Sequence, residues 1–246
     1  MKDTKNLLNQ VLQMKNLIYN KTRQRVEMLF DRFLRKPKSL DKPKNVDLIL
    51  KKMQKFAHKF NIPIIGEVEG SLLGIFVEKK KDIKYILDIG TSIGYSAICL
   101  AKSLRYDQKV ISIDMDINRV IRAKDFIKQV GLQDKIEVIC GDVFDILPTL
   151  DIKFDIIFQD VMKHKYFAKD IDLASNLFYI ILDHLEVAGL LIVDNVFCSD
   201  KVYEGDHSFI HIEGMRRFND LMISHPSLSS IIFTLCDGLW VSVKKI

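Results

Sequence analysis

Residues 85–101, Tyr-Ile-Leu-Asp-Ile-Gly-Thr-Ser-Ile-Gly-Tyr-Ser-Ala-Ile-Cys-Leu-Ala, constrain the fold more than any other stretch of this chain. The apolar run from Tyr85 to Ile89 reads as a buried parallel strand. The chain then turns through Gly90 and Gly94 and continues with Ile93, Ala97, Leu100 and Leu104 at helical spacing. A strand, a glycine turn and a helix N-terminus together let backbone approach a nucleotide-type ligand and point free N–H groups at it. The dinucleotide pattern G-x-G-x-x-G is absent, which disfavours a dehydrogenase.

From Tyr85 onward, apolar runs alternate with amphipathic segments. Strands are expected at 85–89, 110–114, 136–140, 154–159 and 189–194, with helices between them at 94–104, 117–130, 143–150 and 166–187. Such alternation implies an α/β fold with a parallel sheet and helices on both faces. Gly131 and Gly189 are expected to mark helix ends. After a helix at 208–224, the β-rich runs 230–235 and 239–243 flank Cys236-Asp-Gly238 and read as an antiparallel hairpin. The expected sheet therefore has seven strands, mostly parallel. A shorter helix is expected at Gly70–Phe76.

Charge divides the chain. Residues 1–60 carry 16 Lys and Arg against 5 Asp and Glu, whereas residues 61–246 carry 21 against 27. We therefore expect a basic helical appendage at 1–60 and a catalytic domain at 61–246. The appendage suits either an anionic partner such as RNA or a solvated face. Its apolar stripe, Leu7, Val11, Met14, Ile18 and then Val26, Leu29, Phe30, Phe33 and Leu34, needs a surface to cover, and a homodimer is one way to supply it. The face made by Val46, Ile49, Leu50, Met53, Ala57 and Phe60 is also helical. No apolar run of about 18 residues is present, so no membrane span is expected. Met1–Lys5 lacks the apolar core of a secretory signal, and Cys99, Cys140, Cys198 and Cys236 lack metal-type spacing. A cytoplasmic protein with reduced thiols is the expectation. The six histidines form no triad or metal spacing.

In an open α/β sheet the ligand sits beyond the carboxyl ends of the strands, and acids recur there. Asp88 lies in the first strand. Asp114 ends the second, at the reach of a carboxylate that accepts ribose hydroxyls, while Asp116 reads as a helix cap. Gly141-Asp142 ends the third, where an adenine contact would fall. Asp160 follows the fourth, and Asp194-Asn195 ends the fifth. Two carboxylates and an amide suit a hard divalent cation, Mg²⁺ or a relative, and not structural zinc. Lys163 beside such a cation would have a depressed pKa and could act as the general base.

The spacing Asp88-x-Gly90-x-x-x-Gly94 resembles motif I of class I S-adenosylmethionine (SAM) methyltransferases. Together with Phe158-Gln-Asp-Val-Met-Lys-His-Lys-Tyr166, Val193-Asp-Asn-Val196, Arg217-Phe-Asn219 and Asp237-Gly-Leu239, it resembles the cation-dependent O-methyltransferases, the family of catechol and caffeoyl-CoA O-methyltransferases. The resemblance implies a SAM-methyltransferase fold with SAM and a divalent cation as cofactors. It implies Asp160, Asp194 and Asn195 as metal ligands, with Lys163 and Asp160 catalytic. It further implies a cofactor site drawn from Glu69, Asp88, Gly90, Thr91, Gly94, Ser96, Asp114, Gly141, Asp142 and Asp160. Within the family, residues 86–98, His225-Pro226 and the run from Asp237 to Lys245 are similar to bacterial tRNA 5-hydroxyuridine methyltransferases. Three departures stand out. Gln159 replaces an apolar residue, Val161 and Met162 replace smaller ones at the acceptor pocket, and Asp206–Glu213 replaces an arginine-rich run of the tRNA enzymes. Three functions stay open: a methyltransferase for a small catechol-like hydroxylated acceptor, one for tRNA, and a non-catalytic SAM-binding protein.

Overall fold

The computed structural model describes residues 46–105, 107–161, 172–203 and 210–245. The proposed appendage up to residue 45, and Lys163, lie outside the described residues. Helix α1 (Val46–Phe60) and helix α2 (Glu67–Lys79) precede strand β1 (Tyr85–Ile89). There follow α3 (Tyr95–Ala101), β2 (Lys109–Asp114), α4 (Ile117–Val130), β3 (Ile136–Cys140), α5 (Val143–Ile146) with a 3₁₀ turn at Leu147–Thr149, and β4 (Phe154–Gln159). The chain closes with α6 (Asp172–His184), β5 (Leu185–Asp194), α7 (Ile210–Ser224), β6 (Leu228–Phe233) and β7 (Leu239–Lys244). Among the described residues no helix is long and apolar enough to cross a membrane.

The seven strands form one sheet in the order β3-β2-β1-β4-β5-β7-β6. The first five are parallel, and β7 runs antiparallel to both β5 and β6. The parallel strands and the antiparallel hairpin are those expected from the apolar runs, and the order across the sheet is what the structure adds. Because side chains alternate along a strand, each strand feeds two cores. Ile86, Ile156 and Ile192 pack on one face with residues of α1 to α4, while Leu87, Ile157 and Leu191 pack on the other with residues of α6 and α7. Parallel strands covered on both faces need apolar residues at nearly every position, which is why these runs do not alternate in the sequence. Helix α1, assigned from charge to the basic appendage, buries Val46, Leu50, Met53 and Ala57 in the first of these cores.

Several boundaries differ from expectation. Helix α2 begins three residues before Gly70 because the Glu69 carboxylate reaches back to accept from the Gly66 N–H at 2.5 Å, capping the helix there. Pro148 tightens the end of α5 into a 3₁₀ turn. The fifth strand starts at Leu185, so Gly189 lies inside β5 and does not end a helix. The pairing of β4 with β5 jumps from Phe154↔Leu185 to Ile156↔Leu190, and the intervening bulge includes Ala188 in a left-handed conformation (φ 61°). A bulge adds residues that break the period on which strand detection rests.

Candidate active site

Register places the site. Ile89 of β1 pairs with Ile113 of β2 and with Gln159 of β4, and Gln159 pairs with Val193 of β5. The next residue on each strand is therefore abreast of the others: Asp114, Gly90, Asp160 and Asp194 stand in one row along the carboxyl edge of the sheet. Adjacent strands are about 4.8 Å apart, so the row spans roughly 14 Å. Backbone hydrogen bonds continue the ladder into it, from Gly90 N to Ile113 O (2.9 Å) and from Asp160 N to Ile89 O (2.9 Å).

A cavity of about 400 Å³ lies over this row. Glu69, Gly90, Asp114, Gly141, Asp160, Asp194 and Asn195, all expected at the site, line it. Its remaining walls include Pro63, Ile64 and Ile65 from the α1–α2 connection, together with Ser92, Met115, Arg119 and Val161. Sequence reasoning did not single out Ser92, Met115 or Arg119, although each lies within five residues of a named motif position. The described lining holds five carboxylates, Glu69, Asp114, Asp116, Asp160 and Asp194, against one guanidinium, Arg119. That balance opposes a phosphate-bearing cofactor and suits a cationic ligand.

At one end, Asp114 is fixed by two backbone donors. Its Oδ2 accepts from Ser92 N (2.7 Å) and its Oδ1 from Asp116 N (2.9 Å). Each carboxylate oxygen has a second lone pair, so Asp114 keeps acceptor capacity towards the cavity. Ser92 Oγ also donates to Pro63 O at 2.8 Å, holding the Pro63–Ile65 wall against the turn. Asp116 caps α4, accepting from Asn118 N and Arg119 N. Asp142 likewise caps α5 through Phe144 N (2.9 Å) and does not line the cavity.

Asp88, Thr91, Gly94 and Ser96 do not line the cavity either. They form the floor beneath it. Asp88 is fully buried, and its Oδ2 accepts from Ser112 Oγ (2.6 Å) and Ser96 Oγ (3.2 Å), while Thr91 Oγ1 lies 2.5 Å from Ser112 Oγ. This network ties β1, the glycine turn, β2 and α3 together. Gly94 serves packing, since a Cβ there would lie 3.2 Å from the Cβ of Ala123 on α4. The cavity is thus met by Gly90 and Ser92 of the turn that precedes α3.

Burial pushes the Asp88 carboxyl up from 3.8 to about 6, against the opposing pull of the Ser112 and Ser96 hydroxyls. The folded protein therefore holds a proton that the unfolded chain releases near pH 4. The stability this contributes is complete below that pH and is lost as pH rises through 6. Asp88→Asn removes the titration. The stability of the wild type relative to this variant is expected to fall by on the order of 3 kcal/mol between pH 4 and pH 7. Urea unfolding of both proteins across that range checks it, and parallel profiles would reject the buried acid as the source.

At the other end, Asp160, Asp194 and Asn195 converge. The Asn195 amide nitrogen donates to Asp160 Oδ1 (2.7 Å) and to Asp194 Oδ2 (3.0 Å), and its backbone N–H donates to Asp194 Oδ1 (2.7 Å). Asn195 is left-handed (φ 61°), a conformation that asparagine tolerates better than most residues. Two carboxylates and an amide focused on one point form a donor set suited to a hard cation, with the amide able to turn and present its oxygen. These residues fit a divalent ion. Likewise, the acid-lined cavity over the glycine turn fits a cationic nucleoside.

Comparison with known proteins identifies the family and the fold. A catechol O-methyltransferase of Niastella koreensis is 28% identical over 171 residues, covering 66% of this chain and 74% of the relative. The catechol O-methyltransferase of Sus scrofa is 27% identical over 187 residues, covering 74% of this chain and 92% of the relative. The crystal structure of an O-methyltransferase from Bacillus cereus in complex with SAH superposes with a TM-score of 0.74 over 92% of this chain and 99% of that one, at 24% identity, a likeness of fold. The sequence model of the O-methyltransferase family matches residues 40–245, and this chain belongs to that family.

Proposed function

We propose that this protein transfers the methyl group of SAM to a hydroxyl oxygen of a small catechol-like acceptor, with a divalent cation, Mg²⁺ by donor chemistry, held by Asp160, Asp194 and Asn195. The observation that carries the reading is the row of Asp114, Gly90, Asp160 and Asp194 along one sheet edge, with the Asn195 amide 2.7 and 3.0 Å from the two acids at its end. Asp114 and the Gly90–Ser92 turn hold the nucleoside end of the cofactor, and Glu69 and the other acids of the lining favour its positive charge. Ile64, Ile65 and Val161 keep water from the reacting edge.

When bound, the cation lowers the pKa of a coordinated hydroxyl, and SAM supplies a methyl group on a sulfonium leaving group. The protein contributes alignment, holding acceptor oxygen, methyl carbon and sulfur in line, an effect of up to about 7–11 kcal/mol when the geometry is close to attack. Asp160 and Asp194 bring two negative charges to the acceptor end of the row. Lys163 takes the hydroxyl proton in this reading, a role that rests on resemblance.

Incubation with labelled SAM and Mg²⁺ over a panel of catechols, with bulk tRNA in parallel, tests the proposal. Label is expected on a vicinal diol, and EDTA is expected to lower the rate at least a hundredfold. Full activity in EDTA would reject the metal role. Label on tRNA, with binding that falls steeply with salt, would instead favour the RNA-modifying alternative that the basic residues 1–60 suggest.

A further inference from the structure

The segment that leaves β5 carries an unusual backbone. After Asn195 (φ 61°), Cys198 (φ 47°), Ser199 (φ 60°) and Asp200 (φ 67°) are all left-handed. This region is unfavourable for residues with a Cβ, and three consecutive members persist only where the surroundings hold them. The turn between β6 and β7 does so. Asp237 Oδ1 accepts from Ser199 N at 2.6 Å, Asp237 O accepts from Phe197 N at 2.9 Å, and Gly238 O accepts from Val196 N at 3.3 Å. Helix α7 grips the other side, where Asn219 Nδ2 donates to Val196 O and Arg216 Nε donates to Val202 O, both at 2.9 Å. The turn itself is anchored next to the acids, because Leu239 pairs with Asp194.

From that turn, the Asp237 side chain bonds the left-handed run directly, at Ser199. Its bond is charge-assisted, and so stronger than a bond between neutral groups. We propose that Asp237 is a positioning residue for the cation site: by holding Ser199 it fixes the backbone that follows Asn195, and so keeps the Asn195 amide between Asp160 and Asp194. The inference rests on the metal reading above. Outer partners that orient ligating groups typically change metal affinity by about 10–100-fold when removed. The cofactor end of the row, at Asp114 and Ser92, lies two strands beyond Asp160 and is untouched by this bond.

The test uses the full chain and Mn²⁺ as the probe. Free Mn²⁺ is counted by electron paramagnetic resonance, and SAM affinity is measured separately by calorimetry. Circular dichroism confirms that each variant is folded. Asp237→Ala is expected to weaken Mn²⁺ binding about tenfold or more while SAM affinity stays within about twofold. Asp237→Asn keeps an acceptor oxygen without the charge and is expected to fall between, about threefold weaker than the wild type. If the alanine variant does not fold, the asparagine variant decides alone. Mn²⁺ bound equally by the wild type and the folded variants overturns the inference, as does SAM affinity falling in step with Mn²⁺ affinity. A wild type that binds no Mn²⁺ overturns the metal reading itself and this inference with it.

Discussion

Asp160→Ala is expected to lower methyl transfer at least about a thousandfold while leaving SAM bound within a few-fold of the wild-type affinity. The size follows from what is lost. Removing a single group that stabilises developing charge in a site shielded from water costs about 10²–10³ in rate, and Asp160 adds to this the loss of a formal charge from a donor set that holds two. The Asn195 amide, now tied to Asp160 at 2.7 Å, would retain only its 3.0 Å bond to Asp194. The cofactor is expected to survive because the proposed function assigns its nucleoside end elsewhere, to the cavity lining at Asp114, which Ser92 and Asp116 hold, and at Gly90. Single-turnover rates at saturating SAM, with SAM affinity measured by calorimetry, separate the two effects. A variant that turns over within tenfold of the wild type would remove Asp160 from the chemistry. A variant that loses SAM and turnover together would make it a cofactor residue only.

What the sequence made legible follows from how local the governing physics is. The parallel strands were readable because burial on both faces writes uninterrupted apolar runs, and the acids were readable because each falls at the end of such a run. Register then brought Asp114, Asp160 and Asp194 abreast. The bulge at Leu185–Gly189 was not readable, because Ala188 adopts φ 61° for reasons of cross-strand pairing that leave no periodic trace. Asp88, Thr91 and Ser96 carried the right motif and a different placement. Side-chain alternation turns Asp88 down towards α3, so the trio stabilises the floor and the turn above it meets the cavity. Ser92 escaped notice because its two roles, donating from its backbone to Asp114 and from its hydroxyl to Pro63, arise from the shape of the turn. Lys163 lies outside the described residues.

The second large effect concerns Gly90, and a paired substitution isolates its cause. Gly90 (φ +107°) and Gly131 (φ +72°) both adopt conformations that disfavour a side chain, yet their surroundings differ. A Cβ at Gly131, the C-cap of α4, meets nothing within 4 Å, so Gly131→Ala is expected to cost only the backbone term, about 1–2 kcal/mol. A Cβ at Gly90 would lie 2.8 Å from the backbone oxygen of Asp160 and 3.1 Å from Cγ1 of Val161. Backbone cannot swing aside as a flexible side chain can, so Gly90→Ala adds an overpacking term to the strain and is expected to cost about 3–5 kcal/mol in all. In a domain of this size that lowers the melting temperature by about 6–20 °C. The clash displaces the Gly90–Ser92 turn, which the proposed function assigns to the cofactor, as well as the strand tip that carries Asp160, so the variant, assayed well below its melting temperature, is expected to lose SAM affinity at least about a hundredfold and measurable turnover with it, whereas Gly131→Ala keeps both. Thermal unfolding and SAM titration of the two variants decide the matter. If Gly90→Ala costs no more than Gly131→Ala and still binds SAM, the close approach of the β1 turn to Asp160 is not what demands glycine there, and the two halves of the site are not locked together through it.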